Sequence, residues 1–239
     1  MDIVCGLKIA DTVLSITKTI IADFAPRLQN YIKGFAERLL ELSEKYPSLS
    51  DFGQTIDKVA DVMGDILYAL GINVDSAETI GAKTIQAEKK AEDFDSIEAY
   101  ITYLKNEIEL DKEKFNSISE EEKMAYKITG LALESKAIGE KLGVNVSAEA
   151  MEMFTKILDS GKFTINTDEI VSFITKIKSD GITNLNDICD YINGKGESNR
   201  IKTGENVLNA LDSIHPGEGS AIVNELIDQI REWYYGCAK

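Results

Sequence analysis

The sequence predicts an all-α protein: a helical array of about three repeated three-helix units, closed by a C-terminal capping helix, about ten helices in a single domain. Three observations carry this expectation. Apolar residues recur at helical spacing at intervals of about 70 residues, the same short punctuation marks the unit boundaries, and strand signals are scarce. The units are expected at residues 1–74, 75–146 and 147–219, with 220–239 as the capping helix. At 239 residues and 44% hydrophobic composition, the chain has enough apolar material to bury a substantial core without staples.

The first recurring element is an amphipathic stripe. In "PRLQNYIKGFAE" from Pro26, Leu28, Tyr31, Ile32 and Phe35 correspond to Ile97, Tyr100, Ile101 and Leu104 in "DSIEAYITYLKN", and to Ile170, Phe173, Ile174 and Ile177 in "DEIVSFITKIKS". Each set falls at i, i+3, i+4 and i+7, one face of an α-helix. The aromatic members Tyr31, Tyr100 and Phe173 are therefore read as core.

A second element precedes a Leu-Gly break: Val59, Ala60, Ile66 and Leu70 answer to Leu131, Ala132, Ile138 and Leu142, with a looser third copy in "TGENVLNALDSIHPGEG". Leu70 and Leu142 are accordingly expected as equivalent core positions. The third element begins with Ser-Ala: "SAETIGAKTIQAEKK" from Ser76, "SAEAMEMFTKILDSG" from Ser147 and "SAIVNELIDQIREWY" from Ser220.

Helix punctuation fits this division. Asp75 with Glu78, Asp95 with Glu98, and Ser119 with Glu122 have capping-box spacing, and Ser220 is the expected N-cap of the last helix. Gly71 and Gly143 stand where a helix end needs a left-handed residue, and Pro216-Gly217 breaks the chain at the corresponding place. The short "INV" and "VNV" after the breaks are expected to tuck an apolar residue beneath the adjoining turn. "KFTIN" at residues 162–166 alternates but has no evident partner strand, so it reads as an extended link. Residues 193–206, polar and glycine-containing, read as a loop.

Composition narrows the function classes. The net charge of −15 is spread along the chain and repels nucleic-acid phosphates and anionic lipid while favouring basic partners. The N-terminal segment lacks the basic and apolar regions of a signal peptide, and no run is apolar enough for a membrane span, so a cytoplasmic location is expected. Cys5, Cys189 and Cys237 show no metal or redox spacing and are read as buried hydrophobes in a reducing compartment.

No catalytic motif emerges. His215, the only histidine, has no nucleophile in a local motif and is assigned a helix-end or surface role. "NLNDICDYINGKGE" holds Asp187, Asp190, Asn193 and Glu197 without the order of an EF-hand, and "DSGKFT" lacks the glycine and hydroxyl of a phosphate loop. "GEGSA" at residues 217–221 offers backbone N–H groups to an anion, but Glu218 stands among them. No cofactor or metal is expected.

Two interface candidates remain. Glu120, Glu121 and Glu122 crowd the first turn of a helix, where they complement its dipole or dock a basic partner. Trp233, Tyr234 and Tyr235 are consecutive, so they cannot all face one side of a helix; they seal the core or anchor an interface. The reading that follows is a non-enzymatic interaction module binding another protein, expected to be basic, with an immunity or inhibitor protein as its most specific form. A metal- or phosphate-dependent enzyme with carboxylates in a bundle, and a self-assembling homo-oligomeric subunit, stand as alternatives.

Overall fold

Helical periodicity dominates the sequence, and the computed structural model of the chain is all-helical. It describes residues 3–43, 49–159, 166–194 and 200–236. In order these form α1 (Ile3–Ile20), α2 (Pro26–Ser43), α3 (Leu49–Ala69), α4 (Ala77–Gln86), a 3-10 turn (Ala91–Asp93), α5 (Ile97–Glu107), α6 (Lys112–Asn116), α7 (Glu120–Leu142), α8 (Ala148–Asp159), α9 (Thr167–Ser179), α10 (Asn186–Ile192), α11 (Arg200–Ile214) and α12 (Gly219–Gly236). Among the described residues there are thus twelve α-helices where about ten are expected. The short α6 and α10 went unread because five- and seven-residue helices complete too few turns to display a period.

The chain divides into two compact units, residues 1–140 and 141–239. The expected stripes become the inward faces of α2, α5 and α9: Ile32, Phe35, Ile97, Tyr100, Ile101, Leu104, Ile170, Phe173, Ile174 and Ile177 are buried, while Leu28 and Tyr31 are half-buried. Tyr31 keeps its hydroxyl within 3.0 Å of Ser135 Oγ, and Lys136 Nζ lies 5.5 Å from its ring centre.

In the first unit α7 is the enclosed element. Eight consecutive residues, Ile128 to Ser135, are buried, so every face of the helix is covered. Its backbone meets that of α4 directly. A methyl added at Gly130 would stand 1.8 Å from the Ala77 carbonyl oxygen, and one at Gly81 would stand 1.9 Å from that of Tyr126. Only residues without Cβ permit this approach.

Within the second unit α8 packs on α10, α9 and α10 on α11, and α12 on α10 and α11. The segments after α7 and α9 join through a single parallel bridge: Asn145 N–H donates to the Thr183 carbonyl at 2.6 Å and Leu185 N–H to that of Asn145 at 3.0 Å. "VNV" therefore makes a bridge but no strand, and Val144 and Val146 are buried beside it.

The helix ends refine several expectations. Gly71 and Gly143 adopt φ of 78° and 69°. At Gly71 the N–H bonds to the Tyr68 carbonyl, and the Ile72 N–H reaches back to Leu67, the paired bonds of a Schellman ending. Leu70 and Leu142 are only half-buried, a correction to the core reading; the turn before each places Ile66, Leu67 and Ile138 inward instead. Ser119 and Glu122 make the expected reciprocal cap. At the other two sites the cap lies one residue later: Ser76 Oγ accepts from Thr79 N–H and Ser96 Oγ from Ala99 N–H. Asp75 instead accepts at 2.7 Å from Lys83, a buried lysine that also donates to the Lys105 carbonyl.

Ser220 is likewise displaced from its expected role. Helix α12 starts at Gly219, two residues earlier than a Ser220 cap would set, and Gly219 N–H donates to Asp212 Oδ1 at 2.8 Å. That carboxylate occupies the N-terminus considered as an anion site. The loop read over residues 193–206 is shorter than expected, since α11 begins at Arg200 and buries Thr203 and Val207. Residues 195–199, and residues 162–165 of "KFTIN", lie outside the described residues.

Candidate functional site

In the first unit a groove opens between the end of α4 and the outer face of α5, with a volume of about 1010 Å³. Its walls follow from local capping. The chain leaves α4 at Gln86, turns through the 3-10 segment, and re-enters a helix at Ser96, whose hydroxyl caps α5. Asp93 Oδ2 accepts from Lys90 N–H at 2.8 Å, tightening the turn, and Glu140 Oε2 accepts from Ile97 N–H at 3.0 Å. Since Ile97, Tyr100, Ile101 and Leu104 face the core, α5 turns Glu98, Ala99, Thr102, Tyr103, Asn106 and Glu107 toward the groove.

Its floor is aromatic. The Phe94 and Tyr103 ring centres are 5.1 Å apart, Phe94 and Tyr100 5.5 Å, and Phe24 meets Tyr100 edge-on at 6.1 Å. Tyr100 is fully buried and its hydroxyl has no hydrogen-bond partner. Burial, then the neighbouring Tyr103 and Glu92, push its phenol far above the usual range, so it stays neutral. Over the outer rings lies a cation: Lys89 Nζ is 5.6 Å from the Tyr103 centre and 6.0 Å from that of Phe94. Glu88, Glu98 and Glu107 also line the groove, three carboxylates to one ammonium. Aromatic faces ringed by carboxylates recognise cations.

The second unit contains a small apolar cavity of about 20 Å³, lined by Phe154, Ile170, Phe173, Val207 and Leu211, with Glu169 and His215 at its polar end. That space admits roughly one water molecule. His215 follows α11, consistent with a helix-end position, yet its side chain is only 16% exposed, which corrects the surface part of that assignment. Its Nε2 lacks a hydrogen-bond partner and stands 3.5 Å from Glu169 Oε1, while Nδ1 is 4.0 Å from Glu218. Glu169 is already engaged through its other oxygen, which accepts from Asn166 N–H in the cap of α9. Cys189 is a buried free thiol, pushed up to about 12 by burial and by nearby Glu149, Asp190 and Glu152, and so remains an unreactive hydrophobe.

The most unusual ionisable group is Glu134. It sits in the enclosed middle of α7, 1% exposed, with Oε2 lacking a hydrogen-bond partner. Burial holds its carboxyl well above the usual range, which favours the neutral acid form over the carboxylate. No described cavity adjoins it.

The acids Glu120, Glu121 and Glu122 occupy the first turn of α7 as the sequence suggests. Glu120 is exposed and pairs with Lys123 at 2.7 Å, and Glu122 is committed to the cap of its own helix. The structure does not join these acids to the groove lining. Trp233, Tyr234 and Tyr235 fall within the span of α12, but their side chains lie outside the described residues, as do those of Cys5 and Cys237. Among the described residues, no group of three or more His, Cys, Asp or Glu side chains is placed to hold a metal ion, and no helix is long and apolar enough to cross a membrane.

Sequence reasoning missed Lys89, Phe94 and Tyr103. A lysine pair beside an isolated phenylalanine in "EKKAEDFDS" is the one local signal, and it acquires meaning only when the turn folds back over α5. No protein-family model, curated protein or solved structure matches the chain.

Proposed function

We propose that the protein is a non-enzymatic interaction module, an acidic helical-repeat protein that binds a basic protein, with masking of a cationic partner by an inhibitor or immunity protein as its most specific form. The observation that carries this reading is the α4–α5 groove: an aromatic floor with three carboxylates in its lining, on a chain of net charge −15. Aromatic anchors and charge complementarity are the ingredients of protein recognition, the rings supplying affinity and the charges steering encounter. Residues 1–74, 75–146 and 147–219 are proposed as the repeats, with 220–239 as the closing helix and the cytoplasm as the working compartment. The inward faces of α2, α5 and α9 and the glycine endings after α3 and α7 support that register.

The test is retention of partners from a native lysate at low and high salt, with parallel columns carrying the native protein and its Tyr103→Leu variant. Basic proteins held at low salt, shed at high salt and depleted on the variant support the reading. Retention of neutral proteins that ignores both salt and the variant would sink it.

A further inference from the structure

Within the reading of this protein as a binder of basic partners, we infer that the α4–α5 groove takes an arginine-bearing segment of the partner, whose guanidinium stacks on the Phe94–Tyr103 ring pair in the place Lys89 now fills. Lys89 is then an internal stand-in for the ligand, displaced when the partner arrives.

Three observations point this way. Lys89 is an exposed residue in an acidic stretch, "AEKKAEDFD", yet its ammonium makes no ion pair among the described residues and lies over two rings. The ring pair therefore already holds a cation. The position is also open, since Phe94 and Tyr103 are half-buried and the groove around them, about 1010 Å³, is large enough for a peptide segment. Charge supplies the third: Glu88 and Glu107, both exposed, line this space beside Lys89, so an incoming basic segment improves the local balance.

The chemistry favours arginine over lysine. A guanidinium is planar, delocalised and less strongly hydrated than an ammonium, so it loses less on leaving water and covers more of an aromatic face. Its fork can also donate to a carboxylate at the rim while the plane remains stacked. Thr102 and Asn106, on the exposed face of α5, offer hydrogen bonds to an extended backbone lying along the groove.

The experiment uses the full chain and three probes: a short Gly-Ser peptide carrying spaced arginines, the same peptide with lysines, and the same with uncharged citrullines. Binding is followed by calorimetry and by amide chemical shifts. The expected order is arginine over lysine over citrulline, with the largest shifts within residues 86–108. Tyr103→Leu should weaken the arginine peptide about tenfold, with helicity unchanged by circular dichroism. Lys89→Ala, by vacating the rings, should tighten it about threefold or more. Lys33→Ala removes the same charge from α2, outside the groove lining, and should give a smaller gain.

Equal gains from Lys89→Ala and Lys33→Ala would overturn the stand-in role, leaving only a charge effect. Shifts centred on Glu120, Glu121 and Glu122 would overturn the groove as the site while sparing the broader reading. If none of the cationic peptides bound at low salt, both would fall.

Discussion

Two regions of the molecule, the α4–α7 crossing of the first unit and the cavity beside His215 in the second, use the same helical ingredients to opposite packing ends. In the first, α7 and α4 meet backbone to backbone through Gly130 and Gly81, with no room for a single methyl. In the second, α8, α9, α10 and α11 leave a void of about 20 Å³ beneath His215. An interior at the density of an organic crystal penalises added volume, whereas a void has already forfeited contacts that added volume can restore. The α4–α7 crossing is therefore set by exclusion, while the cavity beside His215 has slack.

Gly130→Ala gives the sharpest test of that contrast. The new Cβ would strike the Ala77 carbonyl, a backbone atom that cannot rotate away, so the expected loss in the first unit is about 3 kcal/mol or more. Gly64→Ala in α3 meets open space and should instead stabilise by about 0.5–1 kcal/mol. Because two units need not unfold together, hydrogen exchange resolved by residue is the measurement. Similar effects of the two substitutions would contradict the close crossing.

Glu134 comes next in size. Its folded carboxyl titrates above the unfolded value of 4.5, so between those two pH values the native state holds more protons than the unfolded state. Stability from this group is complete below pH 4.5 and falls as pH rises toward the folded value. Glu134→Met removes that dependence and leaves no unpartnered acid in the core. At neutral pH the expected gain is about 1–3 kcal/mol, read from urea unfolding at several pH values. An unchanged pH profile would show that the carboxyl is not confined as described.

The smaller test adds carbon to each unit. Ala132→Val thickens the enclosed part of α7 and should cost about 1–3 kcal/mol, while Val207→Ile projects a methylene toward the cavity and should gain about 0.8 kcal/mol. Thermal melts of both variants check the pair. A loss from Val207→Ile comparable with that from Ala132→Val would erase the difference between the two regions.

Local chemistry was the legible part of this protein. The stripes beginning at Leu28, Ile97 and Ile170 became helices with inward apolar faces, because a period of about 3.6 residues is written in neighbouring positions. The caps of α4 and α5 were readable to within one residue: in "DSAE" and "DSIE" an aspartate and a serine both offer an oxygen, and the turn that forms selects the serine. Leu70 and Leu142 were overrated as core because each stands at a helix end, where the periodic face runs out into the turn. The enclosure of α7 was illegible for a different reason. A helix covered on every side has no polar face, so its amphipathic signal fades just where it is most central.

The sequence by itself determined that the chain is helical, which faces of α2, α5 and α9 turn inward, and that glycines end α3 and α7, since each of these depends on residues within a few turns of one another. Tertiary structure decided the rest. Only the approach of α4 to α7 gives Gly81 and Gly130 their purpose, only enclosure raises the Glu134 carboxyl above the usual range, and only the fold of residues 87–96 against α5 lays Lys89 over Phe94 and Tyr103. Those properties reside in distances between residues far apart in sequence, or across a turn whose path packing selects, and no local pattern encodes them.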